Sequence, residues 1–109
     1  MTTKKKEPFT ESHHQIAELA KALGHPARVA IIEYLQKSKA CYCGNIVDEL
    51  PLAQATVSQH LKVLKQASLI KGNIEGNAIC YCIDEEGFGK LKEYIDIFTQ
   101  NNNDSNICK

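Results

Sequence analysis

Two thiols one residue apart, in the segment Cys41-Tyr42-Cys43, are the side chains of this sequence best suited to bind a metal ion. On a regular α-helix residues i and i+2 diverge by about 200°, whereas in a segment that is extended or just entering a helix their sulfurs can converge. A helix N-terminus also lowers the pKa of a thiol, and thiolates select soft metals. The spacing indicates a soft-metal site, with thiol redox sensing or two inert buried side chains as alternatives.

A second set of residues shares one side of a helix predicted within residues 53–70. At about 100° per residue, Val57, Leu61 and Leu64 form a narrow apolar stripe. The opposite arc has amides, a hydroxyl and ammonium groups but no carboxylate; it consists of Gln54, Ala55, Ser58, Gln59, Lys62, Lys65 and Gln66. Glutamine can pair with adenine, and lysine with guanine or phosphate, so this arc suits DNA. The alternative is a solvated amphipathic helix, although such helices usually include Glu or Asp.

The neighbouring segments predict the elements that position this helix. A short helix over residues 45–50 should end before Pro51, because the residue before proline is disfavoured in a helix. Helix, tight turn and helix form a helix-turn-helix, whose second helix enters the major groove. Residues 70–74 and 78–83 then read as two strands joined by the turn Glu75-Gly76-Asn77. The predicted fold is therefore mainly α, an α+β winged helix with a two-stranded β-hairpin wing.

Two more helices are predicted upstream. The first has Ser12 as its N-cap, with Gln15 as capping-box partner, and ends at Gly24. The second begins at Pro26 and runs to about residue 36. Apolar residues at helical spacing are expected to be buried: Ile16, Leu19, Ala20 and Leu23 in the first helix, and Val29, Ile32 and Leu35 in the second. For Arg28, the only arginine, an ion pair with a neighbouring helix is favoured over a phosphate contact.

The last predicted helix covers residues 86–99 and carries more apolar surface than a small domain covers easily. Its stripe consists of Phe88, Leu91, Ile95 and Phe98, widened by Tyr94 and Ile97. Either its own domain or a second subunit must cover this surface. Residues 12–99 are predicted to form one domain between a mobile arm, residues 1–11, and a disordered tail, residues 100–109.

Composition narrows the class of protein. The 109 residues are 43% hydrophobic and carry no net charge, so any nucleic-acid contact must come from a local surface. No apolar run approaches the roughly 20 residues of a membrane span, and no secretion signal is evident. These features predict a cytoplasmic protein with reduced thiols. No catalytic constellation is recognised, so the chain is not expected to be an enzyme.

Three segments, LAKALGHPARVAIIEYL, CYCGNIVDEL and LAQATVSQHLKVLKQASLIKGNIEG, resemble the ArsR/SmtB family of metal- and metalloid-responsive repressors. The resemblance runs over residues 15–88, and TVSQHLKVL, with its Ser-x-His-Leu-x-x-Leu pattern, is its most specific part. It implies a homodimer joined by the first and last helices and bound to double-stranded operator DNA. In that setting Gln54, Ser58 and Gln59 are expected to read bases, while Thr56 and Lys62 contact phosphates.

The resemblance also implies an inducer. Family members that sense arsenite, antimonite, cadmium or lead carry a Cys-x-Cys aligned with Cys41 and Cys43. Where the motif often continues with Asp and a further Cys, this chain has Gly44 and Ile46, so a third ligand must come from elsewhere. Cys108, His13 and His14 are the candidates. The family's zinc site on the terminal helix is not expected here, because residues 86–109 contain no histidine.

The predicted function is an operator-binding repressor released by a soft metal or metalloid, with arsenite or antimonite first and cadmium, lead or zinc next. One alternative is a repressor without a metal site, either constitutive or responsive to thiol oxidation. Another is a winged helix that binds protein. Cys80 and Cys82 lie on one side of a predicted strand, and core packing is their favoured interpretation.

Overall fold

The computed structural model describes residues 8–37, 46, 50–76 and 78–100. These contain four α-helices and one two-stranded antiparallel sheet: α1 Glu11–Leu23, α2 Pro26–Lys37, α3 Gln54–Gln66, β1 Ile70–Glu75, β2 Ala78–Ile83 and α4 Glu85–Gln100. The predicted winged-helix fold is confirmed. Of the short helix predicted over residues 45–50, only Ile46 and Leu50 are described, and Ile46 is buried in the core. Most of the predicted arm and tail lies outside the described ranges.

The start of α1 differs from the prediction. Thr10, not Ser12, is the N-cap, since its Oγ1 accepts a hydrogen bond from the N–H of His13 at 3.1 Å. The Nδ1 of His13 accepts in return from the N–H of Thr10, also at 3.1 Å. An imidazole thus takes the place that Glu or Gln holds in the usual capping box. The predicted end at Gly24 is confirmed by a C-cap hydrogen bond to the carbonyl of Lys21.

The buried face of α2 is rotated relative to the prediction. Ile31 and Leu35, one turn apart, are buried, and Ile32 is partly buried against the core. Val29 was expected inside but is 41% exposed. The error is the choice of stripe, because a run of apolar residues from Val29 to Ile32 offers two faces at helical spacing.

The α3–β1 turn and the start of α4 form one tight junction. Ser68 adopts a positive φ of 63°, and the N–H of Gly87 donates to the carbonyl of Ser68 at 2.9 Å. Asp84 caps α4 by accepting from the N–H of Glu86 at 3.0 Å. A Cβ at Gly87 would lie 2.4 Å from the Ser68 oxygen, so only glycine permits this approach. The junction therefore attaches α4 directly to the end of α3.

The wing is an antiparallel hairpin in which Ile70 pairs with Ile83 and Ile74 with Ile79. Gly76 supplies the positive φ of 63° that its turn requires. At the base of the hairpin Ile70 is buried in the core with Ile31, Leu64 and Leu69, and Cys80, in the middle of β2, is also buried. The core thus lies where α1, α2, α3 and the hairpin meet, since Leu19 and Ala22 of α1 belong to it. None of the described helices is long and apolar enough to cross a membrane.

Candidate nucleic-acid interface

The helix α3 presents all five predicted DNA-contacting residues to solvent: Gln54, Thr56, Ser58, Gln59 and Lys62. On its other side Val57, His60 and Leu64 are buried against the body of the protein. The apolar anchors follow the spacing that the sequence suggested, so the polar arc points outward. The structure therefore brings these five residues onto one accessible helix.

The electrostatics of α3 suit an anion. Its first turn contains no acidic residue, and Ala53 at the N-cap has no side chain that could accept hydrogen bonds from the first N–H groups. These amides and the positive end of the helix dipole favour a phosphate near Thr56. Lys62 is exposed. The Nζ of Lys65 lies 3.6 Å from where a Cβ would stand at Gly72, so Lys65 reaches across to the wing.

The described contacts of Arg28 are with backbone carbonyls and a histidine. Its Nε donates to the carbonyl of Ala22 at 2.6 Å and its Nη2 to that of Lys21 at 3.3 Å. Its Nη1 lies 3.1 Å from Nδ1 of His60. Through these contacts the guanidinium binds the negative end of α1. Half-buried and facing inward, it is not placed as a phosphate contact.

His60 is the functional candidate that sequence reasoning missed. It is 8% exposed, and its ring centroid lies 4.5 Å from that of His25. Burial, followed by repulsion from His25 and Arg28, lowers the pKa of His60 below its ordinary value. A histidine at the margin of the α3 apolar stripe was the only available signal, because its partner lies 32 residues away.

The predicted metal ligands Cys41 and Cys43 lie outside the described residues, as does Cys108. Among the residues that are described, no three His, Cys, Asp or Glu side chains are grouped so as to hold a metal ion. His13 is engaged in the α1 cap, and His14 packs edge-on against Phe9.

The wing cysteines are both disulfide-bonded, in contrast to the expectation of reduced thiols. Cys80 is fully buried, which agrees with a packing role, and Cys82 is half-buried. The Nδ2 of Asn73 donates to Sγ of Cys82 at 3.7 Å.

The residues predicted for a dimer interface divide into two groups. Ile16, Leu23, Phe88 and Leu91 pack, partly buried, against the core of their own protomer. By contrast, four large apolar residues of α4 are exposed and form what we call the α4 apolar surface: Tyr94, Ile95, Ile97 and Phe98. The rings of Tyr94 and Phe98 meet edge to face with centroids 5.1 Å apart.

Residues 23–73 match the family model described as a helix-turn-helix domain. The chain is 34% identical over 87 residues to an uncharacterized HTH-type transcriptional regulator of Methanocaldococcus jannaschii, covering 79% of this chain and 97% of that one. It is 41% identical over 78 residues to the transcriptional repressor PagR of Bacillus anthracis, covering 69% and 78% of the two chains. Similarity thus extends over most of each protein.

Two further relatives are named as repressors, one as SmtB and the other as the repressor of an arsenical resistance operon. The HTH-type transcriptional repressor SmtB of Mycobacterium tuberculosis is 42% identical over 64 residues, which span 59% of this chain and 47% of that repressor. The chain therefore matches about half the length of that relative. The arsenical resistance operon repressor of Staphylococcus xylosus is 26% identical over 86 residues, covering 79% and 82%.

Solved structures show the same fold. The crystal structure of PagR superposes with a TM-score of 0.60 at 35% identity, covering 78% of this chain and 93% of that one. An ArsR-like transcriptional regulator from Rhodococcus sp. RHA1 gives a TM-score of 0.72 at 18% identity, covering 84% and 85%. These relatives are transcriptional regulators rather than enzymes, as expected from the sequence. The chain belongs to the ArsR/SmtB family of winged helix-turn-helix transcriptional regulators.

Proposed function

We propose that this regulator is a repressor that binds operator DNA as a homodimer through α3 and is released by a soft metal or metalloid. The observation that carries the DNA-binding part is the exposed, carboxylate-free face of α3. Gln54, Ser58 and Gln59 read base edges, and Thr56 and Lys62 hold phosphates. A gel shift with the DNA upstream of the protein's own gene tests this against a winged helix that binds protein, which would leave that DNA unshifted.

Two variants of α3 should lose DNA affinity in different ways. Gln59→Ala removes a base contact, so it should cost about 1–3 kcal/mol and relax the preference at one position. Lys62→Ala removes a phosphate contact, so it should weaken binding to all sequences and flatten the salt dependence. Fluorescence anisotropy with operator and random duplexes, across a salt series, measures both effects.

Lys92→Ala serves as the matched control, because Lys92 is exposed on α4 and pairs with Asp96 at 2.9 Å. The Lys92→Ala variant should keep the parent's operator affinity and the parent's salt dependence of binding. Operator and random-DNA binding by the Gln59→Ala/Lys62→Ala double variant equal to that of the parent would show that α3 is not the DNA-binding helix.

The homodimer is supported by the α4 apolar surface, since four large apolar side chains of a small protomer remain exposed to water. A second copy of the chain would cover them. Two α3 helices related by a two-fold axis then enter successive major grooves, with half-sites about 10 base pairs apart or a multiple of that spacing.

The inducer part of the proposal assigns Cys41 and Cys43 as thiolate ligands of arsenite, antimonite or a soft divalent metal. It is supported by the Cys-x-Cys spacing and by the similarity to an arsenical resistance operon repressor. The two cysteines precede the segment that leads into α3. Ligand binding there would reorient α3, and two helices matched to a fixed groove spacing tolerate little reorientation.

Adding the inducer should release operator DNA from the reduced protein. A coupling of about 1–3 kcal/mol, typical of allosteric effectors, corresponds to release that is about five- to 150-fold easier. Titration of the protein–operator complex with arsenite, antimonite, cadmium, lead and zinc measures it, with Cys41→Ser/Cys43→Ser as the variant. Release by none of these ions, or release that persists in the variant, would contradict the assignment.

One observation favours a second candidate signal, which is thiol oxidation. Cys80 and Cys82 are both disulfide-bonded, and their strand β2 pairs with β1, the strand of the wing that contacts α3. Each disulfide forms when two thiols give up two protons and two electrons, for example to a peroxide that is reduced to water and an alcohol or a second water. Peroxide should then change operator affinity in the parent but not in Cys80→Ser/Cys82→Ser, whereas a purely metal-responsive repressor would behave alike in both.

A further inference from the structure

One guanidinium joins three elements around α3. Arg28, on α2, donates to the carbonyls of Lys21 and Ala22 at the end of α1 and contacts Nδ1 of His60 on α3. Its planar group presents donors in a fixed fork, so occupying all three partners fixes their relative positions. His60 is the side chain through which α3 takes part in this arrangement.

The contact requires a neutral His60. A guanidinium has only donors, so Nδ1 of His60 must present a lone pair and the ring proton must be on Nε2. Protonation puts a hydrogen on both ring nitrogens and a positive charge 3.1 Å from Nη1 of Arg28. An attractive contact then becomes a repulsive one.

The surroundings offer His60⁺ no compensating partner among the described contacts. His25, from the α1–α2 connection, packs against the ring at an interplanar angle of 54°, and its own Nδ1 accepts from the N–H of Ala27 at 3.0 Å. On α1, Glu18 and Lys21 line a cavity together with Arg28. Burial, His25 and Arg28 all lower the pKa of His60. The neutral form therefore predominates near pH 7, and the charged form can predominate only below pH 6.5.

We propose that Arg28 and His60 are a positioning pair that orients α3 for DNA, and that protonation of His60 in mild acid breaks the pair and weakens operator binding. His60 lies directly beside the predicted base-reading residue Gln59 and one turn from Thr56, so a shift of its ring moves the DNA-binding face. The inference rests on the proposed binding of operator DNA by α3. It adds a pH response that is independent of the cysteines.

The test compares operator affinity at pH 7.5 and pH 5.5, at constant ionic strength, in the parent and in His60→Asn. The asparagine amide oxygen can accept from Arg28 at the place of Nδ1, but the amide does not titrate. The variant should bind like the parent at pH 7.5, whereas at pH 5.5 the parent should bind more weakly than the variant, by about twofold to several-fold, because linkage to a single histidine of lowered pKa limits the loss to less than about tenfold at that pH. Protonation elsewhere in the chain affects both proteins alike.

Two further variants separate positioning from a general structural effect. Arg28→Lys keeps the charge but not the fork, so it should weaken operator binding at both pH values and reduce the difference between them. Lys92→Ala, on the exposed side of α4 and outside the contact between Arg28 and His60, is the control and should show the parent's pH dependence. Equal pH dependence of the parent and His60→Asn would overturn the proposal.

Urea unfolding over the same pH range distinguishes failure of the pair from failure of the DNA-binding assignment. Because the pKa of folded His60 is lowered, its contribution to stability is present above pH 6.5 and is lost as the pH falls towards the folded pKa. The parent should lose stability in this window relative to His60→Asn. If the protein bound no operator at pH 7.5, the proposed function would fall, and matching unfolding profiles of the parent and His60→Asn would overturn the pair as well.

Discussion

Replacing Ile95 by aspartate should convert the proposed dimer into monomers and lower the operator affinity on the order of 100-fold or more. Ile95 lies within the α4 apolar surface, and an aspartate there would place an unpaired carboxylate in an apolar interface. A monomer contacts only one half-site. In a dimer, binding of one subunit raises the effective concentration of the other subunit at the second half-site, and a monomer lacks this gain. Sedimentation equilibrium at micromolar concentration and anisotropy with a two-half-site operator measure the two losses.

The protomer itself should survive this substitution, because 52% of the Ile95 side chain is already exposed. Ile79→Asp is the matched control for assembly: Ile79 is 51% exposed but lies on the wing rather than on α4. It should remain a dimer. A folded parent that sediments as a stable monomer, or an Ile95→Asp variant that sediments as a dimer, would remove the proposed interface.

The winged helix was predictable because local patterns determine it. Period-3.6 stripes located the helices, Pro26 and Gly24 marked their boundaries, and the Glu75-Gly76-Asn77 turn located the wing. The predicted N-cap of α1 and the predicted buried face of α2 were wrong, because in each case the sequence offers two local solutions. The N-cap at Thr10 is an example. Such competition is decided by tertiary packing, which a single sequence does not display.

Part of the candidate site could likewise be predicted from local sequence patterns. The exposed face of α3 follows from its own apolar spacing, and the structure has it outward as expected. The contact between Arg28 and His60 could not be derived, because it joins residues 32 positions apart whose polar groups satisfy each other only after α1, α2 and α3 have packed. Long-range polar pairing of this kind leaves no periodic signal.

The close approach of Gly87 to the backbone of Ser68 should make alanine more damaging at Gly87 than at the other described glycines with negative φ. The new Cβ would stand 2.4 Å from the carbonyl oxygen of Ser68 and 2.9 Å from its carbonyl carbon, and neither backbone atom can rotate away. The hydrogen bond from the N–H of Gly87 to that oxygen would also be disturbed. Overpacking of this type costs about 1–3 kcal/mol, occasionally more, against about 1 kcal/mol gained from alanine's helix propensity.

Gly89→Ala provides the control in the same helix, since a Cβ at Gly89 meets no atom within 4 Å. It should stabilise the protein by about 0.5–1 kcal/mol, so the two alanine variants should shift the urea midpoint in opposite directions. A Gly87→Ala variant as stable as Gly89→Ala would mean that α4 does not close over the α3–β1 turn.

The same pair of variants links stability to function. The α4 apolar surface is attached to α3 through the contact between Gly87 and Ser68, so this junction sets the distance between the two α3 helices of the proposed dimer. At a temperature where both variants are folded, Gly87→Ala should bind a two-half-site operator more weakly than Gly89→Ala, while their affinities for random DNA remain similar. A change in operator affinity that is matched on random DNA would instead indicate partial unfolding of α3 itself.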